Sequence, residues 1–142
     1  LYVGEYISNE ASNQHTFYLL SNMTIDGLSH KSRLALALIS SFKSRNLLNQ
    51  FVSPFKDLVT KDQLKRYEIL GAILKFAYSL NRTRRNIVQQ ITVSSSSKQE
   101  ITLHILCLDD FYFEQEQAQK YKKHLEKILN VNLELQFEKD TN

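Results

Sequence analysis

The chain has 142 residues, 42% apolar and 23% charged, a balance that excludes intrinsic disorder and suits one ordinary core, alone or with a small appendage, rather than two full-sized domains. Its net charge of +3 is unevenly spread: residues 60–99 carry 8 basic against 2 acidic side chains, and residues 100–142 carry 5 against 9. No apolar run approaches the roughly 18 residues that span a bilayer and no basic segment precedes a signal-like stretch, so no membrane partner is expected and the cytoplasm is the expected location.

The first half reads as helices. Leu1, Val3, Gly4 and Ile7 fall at helical spacing, and after the polar stretch Ser8–Asn13 a second apolar group, Phe17 to Leu20, continues the pattern. The opening Leu1-Tyr2-Val3-Gly4, without methionine, suggests a processed, tagged or excised piece. Ile25-Asp26-Gly27-Leu28 is a turn, and Ser29 is a good helix N-cap, so a helix is expected from Ser29 to about Ser44 on Leu34, Leu36, Leu38, Ile39 and Phe42. Pro54 breaks the next stretch. Thr60-Lys61-Asp62-Gln63 then matches a capping box, in which hydroxyl and amide satisfy each other's orphan backbone amides. The longest helix begins there and carries a broad apolar stripe from Leu64 to Leu80. Gly71 inside it costs about 1 kcal/mol relative to alanine, a cost that points to close helix packing.

Beyond the cluster Asn81-Arg82-Thr83-Arg84-Arg85-Asn86 the pattern changes period. Ile91-Thr92-Val93 is β-prone, Ser94–Ser97 reads as a turn, and Glu100 to Leu108 alternates as a strand. A helix is expected from about Asp110 to Asn130, capped by the Asp109-Asp110 pair. A strand follows with Val131, Leu133, Leu135 and Phe137 on one face. The expected fold is mainly α, a helical bundle over residues 1–85, followed by a small α+β appendage of order β-β-α-β over residues 86–142. The single cysteine, Cys107, lies in an apolar run, so it makes no internal disulfide and reads as a buried small apolar residue.

A search for chemistry comes up nearly empty. The glycines, Gly4, Gly27 and Gly71, are too far apart for a phosphate-binding loop. His15, His30, His104 and His124 show no metal-ligand spacing, so neither a catalytic residue nor a metal site is expected in this chain. The Tyr and Phe residues sit mostly at apolar helical positions, which favours core packing over base stacking and speaks against a nucleic-acid partner. The arginine cluster admits two readings: favourable charge at the C-terminal end of the helix dipole, or a patch for phosphate-rich ligands, which arginine pairs with bidentately.

Several segments in order resemble the C-terminal region of the Ppx/GppA phosphatases, the exopolyphosphatases and guanosine pentaphosphate phosphohydrolases. They are Leu1–Gly4, His15–Asn22, Gly27-Leu28-Ser29 and Ile69–Arg84, so the resemblance covers residues 1 to about 85. It implies an HD-like helical bundle. It also marks departures: the family commonly has histidine where this chain has Tyr2, a His-Arg pair at Phe42-Lys43, and Ala-Asp-x-Leu-Asp at Ala77-Tyr78-Ser79-Leu80-Asn81. Of the expected ligands only His15 survives near its position, and one imidazole cannot replace a coordination shell.

The resemblance further implies a whole enzyme whose actin-like N-terminal domain holds the catalytic carboxylate, the phosphate loops and Mg²⁺, so that no cofactor is expected in these residues. This domain would be non-catalytic, would help bind polyphosphate or guanosine pentaphosphate (pppGpp), and would dimerise the protein. His15, Lys43, Arg45, Arg82, Arg84 and Arg85 are the expected anion contacts. The alternatives are a metal-free degenerate HD bundle serving as a regulatory or assembly module, and a nucleic-acid-binding domain built on the central basic segment.

Overall fold

The capping box at Thr60 forms as its chemistry dictates. The Thr60 amide donates to the Gln63 side-chain oxygen at 2.9 Å, and the Gln63 amide donates to the Thr60 hydroxyl at 3.2 Å. From it runs the longest helix of the chain, α4 (Lys61–Ser79). The computed structural model describes residues 3–140. Before α4 come a 3-10 turn (Val3–Tyr6), α1 (Ser12–Asn22), α2 (His30–Ser40), α3 (Arg45–Val52) and a short 3-10 turn (Ser53–Phe55) that holds Pro54 at its start. After α4 come β1 (Val88–Ser97), β2 (Glu100–Cys107), α5 (Tyr112–Leu129) and β3 (Asn132–Lys139). The order is that of a helical part followed by a β-β-α-β segment. Among the described residues no helix is long and apolar enough to cross a membrane.

Contacts group the chain into two units, one ending at Lys75 and one beginning at Phe76. In the first unit Ser29 caps α2 by accepting the Ser32 amide at 3.2 Å. The helix stops at Ser40, four residues short of the expected end, because Ser44 caps a separate helix by accepting the Leu47 amide at 3.3 Å. That helix, α3, was not expected; it buries Leu48 and Val52, spaced i,i+4, and packs on α2, whose own buried residues are Leu34, Ala37 and Leu38. Phe17 of α1 stacks on Phe51 of α3 with ring centroids 4.4 Å apart, and Phe55 meets Phe17 edge-on. Two glycines sit where a side chain has no room. A Cβ on Gly4 would strike the Ser12 carbonyl, and one on Gly71 would lie 2.5 Å from the Phe42 ring stem, the close approach its place in α4 suggests.

In the second unit β1 pairs antiparallel with β2, and β2 pairs parallel with β3, in sheet order β1-β2-β3. A parallel pair needs a crossover, which α5 supplies. Ile105, Cys107, Leu133 and Leu135 of the sheet and Ala118 and Leu125 of α5 are buried, with Cys107 fully so. Lys122 of α5 donates to the Leu133 carbonyl at 2.6 Å while Glu126 accepts the Leu133 amide at 2.8 Å, so α5 and the start of β3 are tied by polar bonds as well. Asp110 accepts the Tyr112 amide at 3.0 Å at the head of α5, and Asn130 ends the helix in the left-handed region at φ 55°.

One expectation fails plainly. Ser94–Ser97 is not a turn but the second half of β1, with Ser94 opposite Thr102 and Ser95 opposite Ile101. The chain reverses at Lys98-Gln99 instead. Serine favours turns through bonds to nearby backbone, and here the ladder to β2 outweighs that local preference.

Candidate functional site

The arginine cluster occupies the turn between α4 and β1, and the structure explains how it is held. The end of α4 tightens through the Leu80 and Asn81 amides, which donate to the carbonyls of Ala77 at 3.2 Å and Tyr78 at 3.1 Å. The turn is then closed by two asparagines. The Asn86 amide donates to Asn81 Oδ1 at 3.0 Å, and Asn81 Nδ2 donates to Asn86 Oδ1 at 2.6 Å. Inside this clamp Arg84 and Asn86 adopt left-handed backbone, φ 60° and 53°. Asparagine tolerates that region; for arginine it costs on the order of 1–2 kcal/mol, and such strain persists only where the surroundings over-determine the backbone.

The second anchor is Glu114 of α5, whose side chain is only 1% exposed. The Thr83 hydroxyl donates to Glu114 Oε1, and Arg85 Nη2 donates to Glu114 Oε2 at 2.8 Å and to the Asp110 carbonyl at 2.7 Å. Burial pushes the Glu114 carboxyl up, but the hydrogen bonds from Thr83 and Arg85 outweigh it and hold the group below the usual carboxylate range. Arg85 also lies 3.9 Å from Asp109. Its charge is therefore largely matched by carboxylates of the protein itself. Arg82 places its guanidinium 5.2 Å from the Tyr78 ring centroid and donates to the Tyr78 hydroxyl at 2.9 Å. Arg82, Arg84 and Arg85 are all exposed. The turn thus presents all three arginines at the surface, and Arg85 serves as a strut as well.

The remaining candidates lie in the first unit. His15 is half-buried in the N-terminal turn of α1. Lys43 is exposed in the α2–α3 connection, and Arg45 is the first residue of α3. Arg45 Nε donates to both carboxylate oxygens of Glu68, at 2.8 and 3.0 Å, and the Glu68 side chain is 9% exposed, so this arginine too neutralises a nearly buried carboxylate. Lys75, which the sequence did not single out, donates to the Lys43 carbonyl at 2.8 Å, and burial together with the Lys43 charge lowers its pKa. Beside α3, Arg45, Lys61 and Lys65 line a cavity of about 260 Å³ with Leu48 and Leu64.

Among the described residues no three His, Cys, Asp and Glu side chains group to hold a metal ion. The positions where an HD bundle would carry ligands do other work. Phe42 is core, 3% exposed and set against Gly71; Tyr78 supports Arg82; Asn81 closes the turn. Tyr2 lies outside the described residues.

What the sequence missed at this site was Glu114 and the pairing of Asn81 with Asn86. Asn81 and Asn86 flank the cluster symmetrically, which was a usable signal for a clamp. Nothing local linked Thr83 or Arg85 to a carboxylate about 30 positions away.

Comparison with known families bears on this geometry. A family model described as Ppx/GppA phosphatase, domain III, matches residues 2–127, from the first 3-10 turn through most of α5 and well beyond the motif likeness that ends near residue 85. No curated protein matches the chain.

Proposed function

Because the chain belongs to the Ppx/GppA phosphatase domain III family, we propose that it is the non-catalytic domain through which an exopolyphosphatase-related phosphohydrolase grips its polyanionic substrate and pairs with a second copy. The substrate class is inorganic polyphosphate or a guanosine polyphosphate such as pppGpp. Hydrolysis and its Mg²⁺ belong to an actin-like N-terminal domain in this reading, as the family resemblance implies.

The observation that carries the proposal is the clamped turn. Arg82 and Arg84 are exposed on a loop whose backbone is fixed by the Asn81–Asn86 bonds and by Thr83 and Arg85 on Glu114. Guanidinium forks match phosphate oxygens bidentately, and a pre-formed loop loses little entropy on binding. Arg85 is a positioning residue in this scheme. Within the first unit, Lys43 and Lys75 carry positive charge of their own, while Arg45 is mainly engaged with Glu68. His15 remains a candidate contact only through its place in the family-like motif.

Titration of the full chain with polyphosphate tests the reading. Binding should weaken steeply with salt and fall at least tenfold in the Arg82→Ala/Arg84→Ala double variant, as expected where two charge-assisted contacts are lost. Binding unchanged by that double substitution would refute it.

The second reading, a degenerate HD bundle kept as a regulatory or assembly module without its own ligand, is favoured by one observation: the side chains at Phe42, Tyr78 and Asn81 are all committed to packing or to the turn. It predicts self-association without any polyphosphate binding.

A further inference from the structure

β1 is the outer strand of the three-stranded sheet, and it differs from the other outer strand in a way that bears on partners. Over Val88–Ser97 it contains no charged residue and no proline, whereas β3 carries Glu134, Glu138 and Lys139. Proteins ordinarily blunt a strand edge with charge, proline or a short run, because the unpaired amides and carbonyls otherwise template pairing with another chain. β1 is ten residues long and exposed nearly throughout. Its two apolar side chains at mid-strand, Ile91 at 42% exposure and Val93 at 66%, stand opposite Ile105 and Leu103 of β2 and so share their face. That face is buried at Ile105, Leu133 and Leu135 and left largely open at Val93, while Ile91 is partly covered where it lines a cavity with Ala77 and Leu80.

The register narrows the occupant. Irregular pairing at Val88/Gln90 and at Ser95/Ser97 brackets a regular segment, Gln90–Ser95. If two copies of that segment run antiparallel about a twofold axis at Thr92, Ile91 of each copy lies directly opposite Val93 of the other, and Gln90 lies opposite Ser94. Shifting the axis to Ile91 sets Val93 opposite Gln89, and shifting it to Val93 sets Ile91 opposite Ser95. One register alone joins apolar to apolar on both sides of the axis. With no charge on either strand, self-pairing also brings no like-charge repulsion.

We propose that the β1 edge is a self-pairing surface, on which β1 of a second copy of this chain adds antiparallel about Thr92 and joins the two sheets into one. Ile91 and Val93 of both copies form the apolar patch that the pairing covers. The inference deepens the pairing part of the proposed function and owes nothing to the arginine turn.

Sedimentation of the full chain over a concentration series, with cysteine cross-linking, tests it. The chain should form a dimer that Val93→Lys shifts toward monomer by at least tenfold in concentration, with an unchanged circular dichroism spectrum. Thr92→Cys should cross-link to itself on oxidation. Gln90→Cys and Ser94→Cys should each stay uncross-linked alone and cross-link when mixed, and the parent chain, with only buried Cys107, should not cross-link. A chain that is monomeric throughout, a dimer indifferent to Val93→Lys, or a mixed pair that fails to cross-link would overturn the proposal. So would a monomer that captures an extended foreign peptide at β1. Absence of polyphosphate binding by the parent chain, with the Thr92→Cys cross-link formed, would sink the arginine-turn reading and support this one.

Discussion

Asn81 and Asn86 bond to each other twice, Asn81 Oδ1 accepting the Asn86 amide at 3.0 Å and Asn81 Nδ2 donating to Asn86 Oδ1 at 2.6 Å. Four residues bearing three arginines are looped between them. The pair turns a short connection with two left-handed residues into a fixed feature of the surface.

Removing one member should release the loop. Asn81→Ala deletes both bonds and is expected to cost about 1 kcal/mol. The melting temperature should fall by a few degrees, and amide exchange at Thr83–Asn86 should speed up while the β2–β3 ladder keeps its protection. Equal loss of protection in both places would mean that the clamp is not a local device.

Glu114 gives the fold a pH dependence of definite sign. Its folded-state pKa is depressed, so its contribution is present above its unfolded value of about 4.3 and is lost as pH falls through the folded value. Glu114→Gln should cost about 1.5–3 kcal/mol at neutral pH, the range for hydrogen bonds to a charged group. Thermal melts between pH 7 and pH 3 should show the gap between parent and variant closing below about pH 4.3. A gap constant across that range would count against the assignment.

Arg84 and Arg85, neighbours in sequence, should separate by readout. Arg85→Ala leaves Glu114 without its charged partner and should lower the melting temperature clearly. Arg84→Gly suits the left-handed backbone and should leave stability equal or slightly higher while weakening polyphosphate binding. Reversed outcomes in melting and in titration would exchange the roles given to the two residues.

Gly71→Ala tests packing against propensity. Alanine gains roughly 1 kcal/mol in helix propensity. Its Cβ would sit 2.5 Å from Phe42 Cβ and Cγ, and overpacking of that kind costs about 1–3 kcal/mol. Denaturant unfolding should show a net loss; a net gain would mean that Phe42 yields easily.

The features legible in the sequence were those set by near neighbours. The capping box at Thr60 and Gln63, the N-cap at Ser29, the apolar period of α4 and α5 and the alternation of Leu133 and Leu135 all depend on residues within one or two turns, and each formed. The helical part followed by β-β-α-β followed from them, and the family from the resemblance of Leu1–Gly4, His15–Asn22, Gly27–Ser29 and Ile69–Arg84 in order. α3 also had a local signal, Ser44 ahead of Leu47, Leu48, Phe51 and Val52, which the nearby Pro54 obscured.

Tertiary structure alone decided the rest. Ser94–Ser97 became strand because β2 offered a ladder, and Arg45 and Arg85 became struts because Glu68 and Glu114, 23 and 29 positions away, needed their charge. The physical reason is the same in each case. Propensity weighs a residue against its chain neighbours, whereas a strand ladder or a nearly buried carboxylate is a partner that exists only once distant segments have met.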